Sequence, residues 1–222
     1  MKSLVKNSVL AALASSLTIG AALAQAHEEG DILMRGRVIY VNPMDDSDSI
    51  IIAATGQDSG TTVEVGAGTT LDLDFSYMFT DNFALELLLD LSSKHTVNTS
   101  DTGVLGGLGD VIEVNTLPPS LFAQYHFAPK ATVQPYVGLG LNYTMFLNEK
   151  GIGALAGADV ELDSSFGLGA QAGADIDLGN NWFANVDMKY IDIDTQASIN
   201  SALRADVSID PVIFGVGIGT RF

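Results

Sequence analysis

Over most of its length this 222-residue chain alternates hydrophobic and polar positions with period two, the period of a strand whose two faces meet different surroundings. Over 31–42, Met34, Val38 and Tyr40 fall on one face and Arg35 and Arg37 on the other. Over 70–80, Leu71, Leu73, Phe75, Tyr77 and Phe79 oppose Asp72, Asp74, Ser76 and Met78. Over 83–92, Phe83, Leu85, Leu87, Leu89 and Leu91 oppose Ala84, Glu86, Leu88 and Asp90. Next, Leu121, Ala123, Tyr125 and Phe127 oppose Ser120, Phe122, Gln124 and His126. The alternation returns over 133–147, 166–178, 182–190 and 212–222. In those segments the second face carries glycines (138, 140, 167, 169, 173, 215, 217 and 219) with Asp175, Asp177, Asp187, Lys189 and Arg221. Eight strands are predicted.

The connections alternate in length. Short turns are predicted at 80–82, 128–132 and 179–181, and longer polar connections near 43–69, 93–116, 148–160 and 195–206. Both termini then lie at the short-turn end, the layout of an outer-membrane barrel with periplasmic turns and external loops. An eight-stranded barrel has room inside only for side chains. A soluble lipocalin-like barrel would turn the bulky apolar face inward. The glycines on the opposite face let a narrow barrel close around that face instead, which puts the bulky residues toward lipid. The expected fold is all-β, an eight-stranded antiparallel transmembrane beta-barrel with short periplasmic turns and longer external loops. Tyr40, Tyr77, Phe79, Tyr125, Phe127, Tyr143, Trp182 and Tyr190 stand near segment ends, where aromatic girdles form.

Lys2 and Lys6 precede an apolar stretch at 9–23 and two A-x-A patterns ending at Ala24 and Ala26. This predicts a signal peptide at 1–26, with the barrel at 27–222. Ser15, Ser16 and Thr18 break the stretch, which is too short for a membrane anchor. The chain carries 27 acidic and 10 basic residues; without Lys2 and Lys6, 8 bases remain and the net charge is −19. No nucleic-acid partner is expected, because phosphate contacts need clustered Lys and Arg. The absence of cysteine excludes disulfides, thiolate metal sites and thiol catalysis.

Arg35, Arg37, Lys189 and Arg221 share the inward face with Asp72, Asp74, Glu86, Asp90, Asp175, Asp177 and Asp187. They read as a gating constriction or as ion pairs filling a packed lumen, since an unpaired buried charge is costly. The three histidines, His27, His95 and His126, form no H-x-x-x-H or H-E-x-x-H pattern, so no metal site and no cofactor is predicted. Ser120 and His126 share a face but stand about 20 Å apart along a strand, too far for a catalytic couple. Asp45, Asp46 and Asp48 form a solvated loop or a cation site near lipopolysaccharide. Ile50, Ile51 and Ile52 either cover the barrel mouth or extend a hairpin.

The stretches LPPSLFAQYHF (117–127), PYVGLGLNYT (135–144) and YIDIDT (190–195), with DNFALELLL (81–89) and a terminal TRF, resemble the OmpW family of small outer-membrane barrels. The likeness runs in order through almost the whole mature chain. It implies the Gram-negative outer membrane and the passive passage or binding of small hydrophobic molecules, not catalysis. Leu88 resembles the family's apolar lumen position, where a ligand would sit, with Phe122 and Met78 adding to that surface. Lys189 stands where some members carry a bulky aromatic. In the route the resemblance implies, ligand leaves sideways into lipid. Pro118 and Pro119, which lack an N–H, either hold that opening or merely start a strand. Phe222 resembles the terminal signal read by barrel-assembly machinery. The implied partners are that machinery, outer-membrane lipid and lipopolysaccharide, and a small hydrophobic ligand. Two alternatives stand: a structural or receptor barrel with a closed lumen, and a lipid-modifying enzyme marked by a converging Ser/His/acid cluster.

Overall fold

The computed structural model describes residues 27–90 and 93–222; the expected leader, 1–26, lies outside them. Eight strands follow the predicted order: β1 Ile32–Asn42, β2 Gly68–Met78, β3 Phe83–Asp90, β4 Ser120–His126, β5 Val133–Gly151, β6 Ser165–Gly179, β7 Trp182–Ile191 and β8 Val212–Arg221. Each pairs with its chain neighbours. β1 closes on β8 in antiparallel register from Leu33↔Arg221 to Asn42↔Val212. Each of these eight strands is thereby paired on both sides, so backbone groups at membrane depth find partners inside the protein.

The faces divide as the sequence pattern requires. Val38, Leu71, Phe75, Leu85, Leu139 and Val216 point outward and are exposed, while Arg35, Asp74, Glu86 and Asp175 are buried inside. Near the short turns, Tyr77–Phe79, Phe83–Tyr125 and Tyr125–Phe127 meet edge to face at 4.9, 4.9 and 5.1 Å. Tyr40, Tyr143 and Tyr190 are exposed toward the other end. At the tightest turn, Asn180 and Asn181 adopt φ of 53° and 68°, the left-handed conformation that Asn tolerates in two-residue hairpins. Lys130 Nζ reaches Asp81 at 3.1 Å and ties two turns together. That bond, helped by the Glu29 N–H, holds the Asp81 carboxyl below its ordinary range. Inside, Gly140 and Gly169 are register partners. A Cβ on either would stand 2.6 or 2.7 Å from the Phe122 ring, so this ring fits only because both positions lack one.

The long connections differ from expectation. They continue the barrel as strands Ser93–Thr99, Asp110–Leu117, Asp194–Ile199 and Leu203–Ser208, and β5 itself runs on to Gly151. Their inward residues form an apolar core of Ile50, Val63, Val97, Val111, Ile112, Ile199 and Val207. It continues into Ile39, Val114, Phe146, Ile191, Ile193 and Ile213. The barrel interior is therefore polar toward the short turns and apolar toward the long-loop end. Ile50 is buried in that core. Ile51 and Ile52 pair with Arg204 and Leu203 on one side and with Asp58 and Gln57 on the other. The isoleucine run thus covers the mouth and also belongs to a hairpin. In the acidic run before it, Asp45 accepts the Val65 N–H at 2.9 Å and Ser47 the Val63 N–H at 2.8 Å.

Candidate functional site

The polar half of the lumen is a plug built around Arg35. Its Nε and Nη2 donate to Asp175 at 3.1 and 2.7 Å, and its Nη1 reaches Asp74 at 3.1 Å and Ser76 at 2.7 Å. Glu86 lies 3.5 Å from the same Nη1 and accepts from Gln124 at 2.7 Å. One inward step along β1, Arg37 pairs with Asp72 at 2.9 Å and Asp74 at 2.5 Å. Across the lumen, the Tyr136 hydroxyl donates to Asp187 at 2.8 Å, and Lys189 also binds Asp187. Arg221 holds Asp177 at 2.6 Å. These charges come from six different strands, and hydrogen bonds to charged partners are the strong ones. The arrangement fills the lumen with ion pairs. Asp90, opposite Asp72 in register, marks the top of the plug.

Above it lies a chamber of about 130 Å³, lined by Val41, Ile50, Val63, Val97, Val111, Phe146, Ile193 and Ile213 among others, with Asp90 and Pro118 at its lower margin. Most of this lining comes from chain that sequence reasoning assigned to loops. The available signal was a short period-two run, such as Ile112/Val114/Thr116 and Ala205/Val207/Ile209. The residues expected at a ligand surface sit outside this chamber. Leu88 lies on β3 between Asp90 and Glu86, fully buried. Phe122 covers the glycine pair, and Lys189 is bound into the plug. Met78 packs with Leu33, Ala84 and Phe183 near the short turns. None of the four lines the chamber, because the lumen at their level is filled by ion pairs and rings.

Pro118 and Pro119 fall between Asp110–Leu117 and Ser120–His126, in neither strand. Toward β5 their carbonyls are used: Tyr143 N–H donates to Pro119 at 3.1 Å and Asn142 to Pro118 at 3.3 Å. Toward β3 the described ladder stops at Ser120↔Leu88 and resumes at Thr116↔Ser93. Pro118 and Pro119 themselves have no N–H to give a neighbouring strand. At the closing seam, Phe222 exchanges two backbone bonds with Ile32, at 3.0 and 3.1 Å, and its ring is exposed.

Two histidine arrangements were not visible in sequence spacing. On the chamber wall, Ser93 Oγ lies 2.9 Å from His95 Nε2, and His95 Nδ1 lies 3.0 Å from the Gly66 carbonyl. The carbonyl can only accept, so Nδ1 carries the proton and Nε2 accepts from the Ser93 hydroxyl. Ser120 instead donates to the Pro118 carbonyl at 3.0 Å, apart from His126 as expected. At the opposite end of the lumen, His27, His126 and Asp175 converge, with one ligating atom of each within 4.8 Å of the others. Burial lowers the His27 pKa from its ordinary value, against the opposing pull of Asp175, which favours the neutral ring.

Comparison with known proteins places this architecture. The OmpW family's sequence model matches residues 28–222. Outer membrane protein W of Vibrio cholerae is 39% identical over 221 residues, covering 96% of this chain and 96% of that protein. Outer membrane protein W of Escherichia coli is 35% identical over 225 residues, covering 98% and 100%. The crystal structure of the outer membrane protein OprG from Pseudomonas aeruginosa matches with a TM-score of 0.82 at 34% identity, covering 90% of this chain and 99% of that one. These relatives are proteins of the Gram-negative outer membrane, and the chain belongs with them to the OmpW family.

Proposed function

We propose that this barrel passes small hydrophobic molecules from the cell exterior into the lipid of the outer membrane. The observation that carries the reading is the position of the apolar chamber directly above an ion-paired plug, with Pro118 at its margin. A ligand entering from outside meets apolar walls first. The axis below is filled with paired charges, so straight passage would break bonds that a hydrophobic molecule cannot replace. Pro118 and Pro119, with no N–H to offer β3, make the wall weakest at the height of the chamber floor and offer a sideways exit there. The chamber's size suits this reading: a dry protein cavity of about 150 Å³ takes up benzene. On this reading Leu88 and Phe122 seal the chamber from beneath, and the barrel performs no catalysis.

The test is uptake by whole cells whose internal naphthalene oxidation is limited by entry. Cells making the wild-type barrel should oxidise naphthalene faster than cells without it. Replacing both prolines, Pro118→Val with Pro119→Thr, supplies two N–H donors and should close the gap, returning uptake to the background rate. Uptake unchanged by this double substitution, in a barrel that folds normally, would refute the sideways exit. In planar bilayers the wild type should conduct few or no ions. A large, steady conductance would show that the plug is not closed.

A further inference from the structure

We propose that the floor of the apolar chamber is a binding subsite for a hydroxyl group, which rests on the function proposed above and narrows its ligands to hydrophobic alcohols and phenols. Asp90 is the centre of this subsite. Its carboxyl lines the chamber and is only 6% exposed, and its Oδ1 is buried without a hydrogen-bond partner. Buried polar atoms are nearly always partnered, so such an orphan calls for an explanation. Two cations of the plug below are committed elsewhere, Arg37 to Asp72 and Asp74, and Lys189 to Asp187. Leu88 faces Ser120 in register, so Asp90, two residues on, stands at the height of Pro118. The orphaned oxygen therefore lies where a ligand would turn from the chamber toward the sideways exit.

The hydroxyls that line the floor with Asp90 present acceptors, because their hydrogens are used within the protein. Thr144, buried on the chamber wall, donates to Asn142 Oδ1 at 2.7 Å. Asn142 in turn donates from Nδ2 to the Pro118 carbonyl at 3.3 Å and to Ser120 Oγ at 3.0 Å, which fixes its Oδ1 as the acceptor. Thr116 Oγ1 lies 2.8 Å from Ser93 Oγ. Ser93 gives its own hydrogen to His95 Nε2, so the hydrogen between Thr116 and Ser93 comes from Thr116. The Pro118 carbonyl already accepts from Ser120 and Asn142. A hydroxyl oxygen that has given its hydrogen keeps its lone pairs, and an ionised carboxylate has lone pairs alone. Asp90 Oδ1, Thr116 Oγ1 and Thr144 Oγ1 thus face the chamber from three strands as acceptors. Such a floor fits a guest that brings its own O–H. A bare hydrocarbon would leave Asp90 Oδ1 unpaired, and a cation would have to shed its water among largely aliphatic walls.

The experiment measures binding of phenol, toluene and anisole to the refolded protein in lipid nanodiscs by equilibrium dialysis. Each affinity is referred to that compound's own partition into empty discs. One-ring probes suit a chamber of about 130 Å³. Phenol and toluene share a shape and differ by a hydroxyl for a methyl, while the anisole oxygen can only accept. The wild type is expected to prefer phenol to toluene and to anisole by roughly tenfold or more, the worth of one hydrogen bond to a charged group. Asp90→Leu is expected to lower the phenol-to-toluene ratio by roughly the same factor, and Thr144→Val to lower it less. Slower gel migration after heating verifies that each variant folded. Toluene bound by the wild type as tightly as phenol would overturn the hydroxyl subsite and leave the apolar chamber standing; a water molecule satisfying Asp90 would give that result. Binding of none of the three compounds would overturn the subsite and the chamber's proposed function together. A phenol preference that survives Asp90→Leu in a folded barrel would overturn the assignment to Asp90. The wild-type ratio decides the matter even if a variant fails to fold.

Discussion

Replacing Arg35 with methionine is the sharpest test of the plug. The guanidinium is fully buried and donates to Asp175, Asp74 and Ser76, with Glu86 at 3.5 Å. Methionine has similar length and no charge, so the substitution leaves three carboxylates short of one cation. Removing one partner of a buried ion pair costs about 3–5 kcal/mol. Each carboxylate here keeps another donor: Arg37 for Asp74, Gln124 for Glu86, and His27 with Asn185 for Asp175. The low end therefore applies, about 3 kcal/mol, or roughly two powers of ten in the folded-to-unfolded ratio. Urea unfolding in lipid vesicles, followed through Trp182, the single tryptophan, measures it. Adding Asp175→Asn should recover part of the loss, because it removes one stranded charge. A loss below about 1 kcal/mol with an unchanged urea slope would refute the reasoning. It would mean that water reaches the plug and already solvates these charges.

Other substitutions test separate parts of the structure. Gly169→Ala places a Cβ 2.7 Å from the Phe122 ring; it should cost about 1–3 kcal/mol in the same unfolding assay, and Phe122→Leu should recover much of it. Lys130→Met removes the bond that depresses the Asp81 pKa, so the carboxyl should titrate closer to its ordinary 3.8 by NMR. Because the folded pKa is the lower one, that clasp's contribution is complete above pH 3.8 and fades as pH falls through the depressed value. The two proteins should therefore differ by a constant amount in stability from pH 5 to 8 and converge only in acid. Ser93→Ala should leave naphthalene uptake within twofold of wild type; abolished uptake would assign the Ser93–His95 pair a direct part in handling the ligand.

The barrel was legible because lipid enforces a strict rule. Every second residue of β2 and β3 must satisfy hydrocarbon, so Leu71, Leu73 and Phe75 announce their face without help from neighbours. The glycines gave the orientation for the same reason, since Gly140 and Gly169 face a lumen already filled at their level by the Phe122 ring. The chamber was harder to see. Its strands stand outside the lipid, so their outward residues are free to be polar, and runs such as Ser93–Thr99 carry only short alternations. Leu88 and Phe122 lie inward but below the chamber, because facing inward does not say at what height the lumen opens. The histidine cluster was invisible because His27 and His126 lie 99 positions apart in the chain and meet only through barrel closure.

The reversal of interior polarity along the barrel divides the burden of change between two parts of the chain. Residues at membrane depth answer to lipid outside and to a web of mutually dependent charges inside, so most single replacements there disturb several partners. The upper strands answer to neither constraint. Their inner residues are interchangeable aliphatics, and a Val-for-Ile exchange at Val111 or Ile199 would reshape the cup without touching the post that carries it. On the proposed function, a lineage can therefore retune what its barrel admits by drifting in the upper strands alone, while the pattern that directs the protein into the membrane stays fixed. Transplanting the upper strands of one relative onto the lower barrel of another should exchange preference for cargo and leave insertion intact.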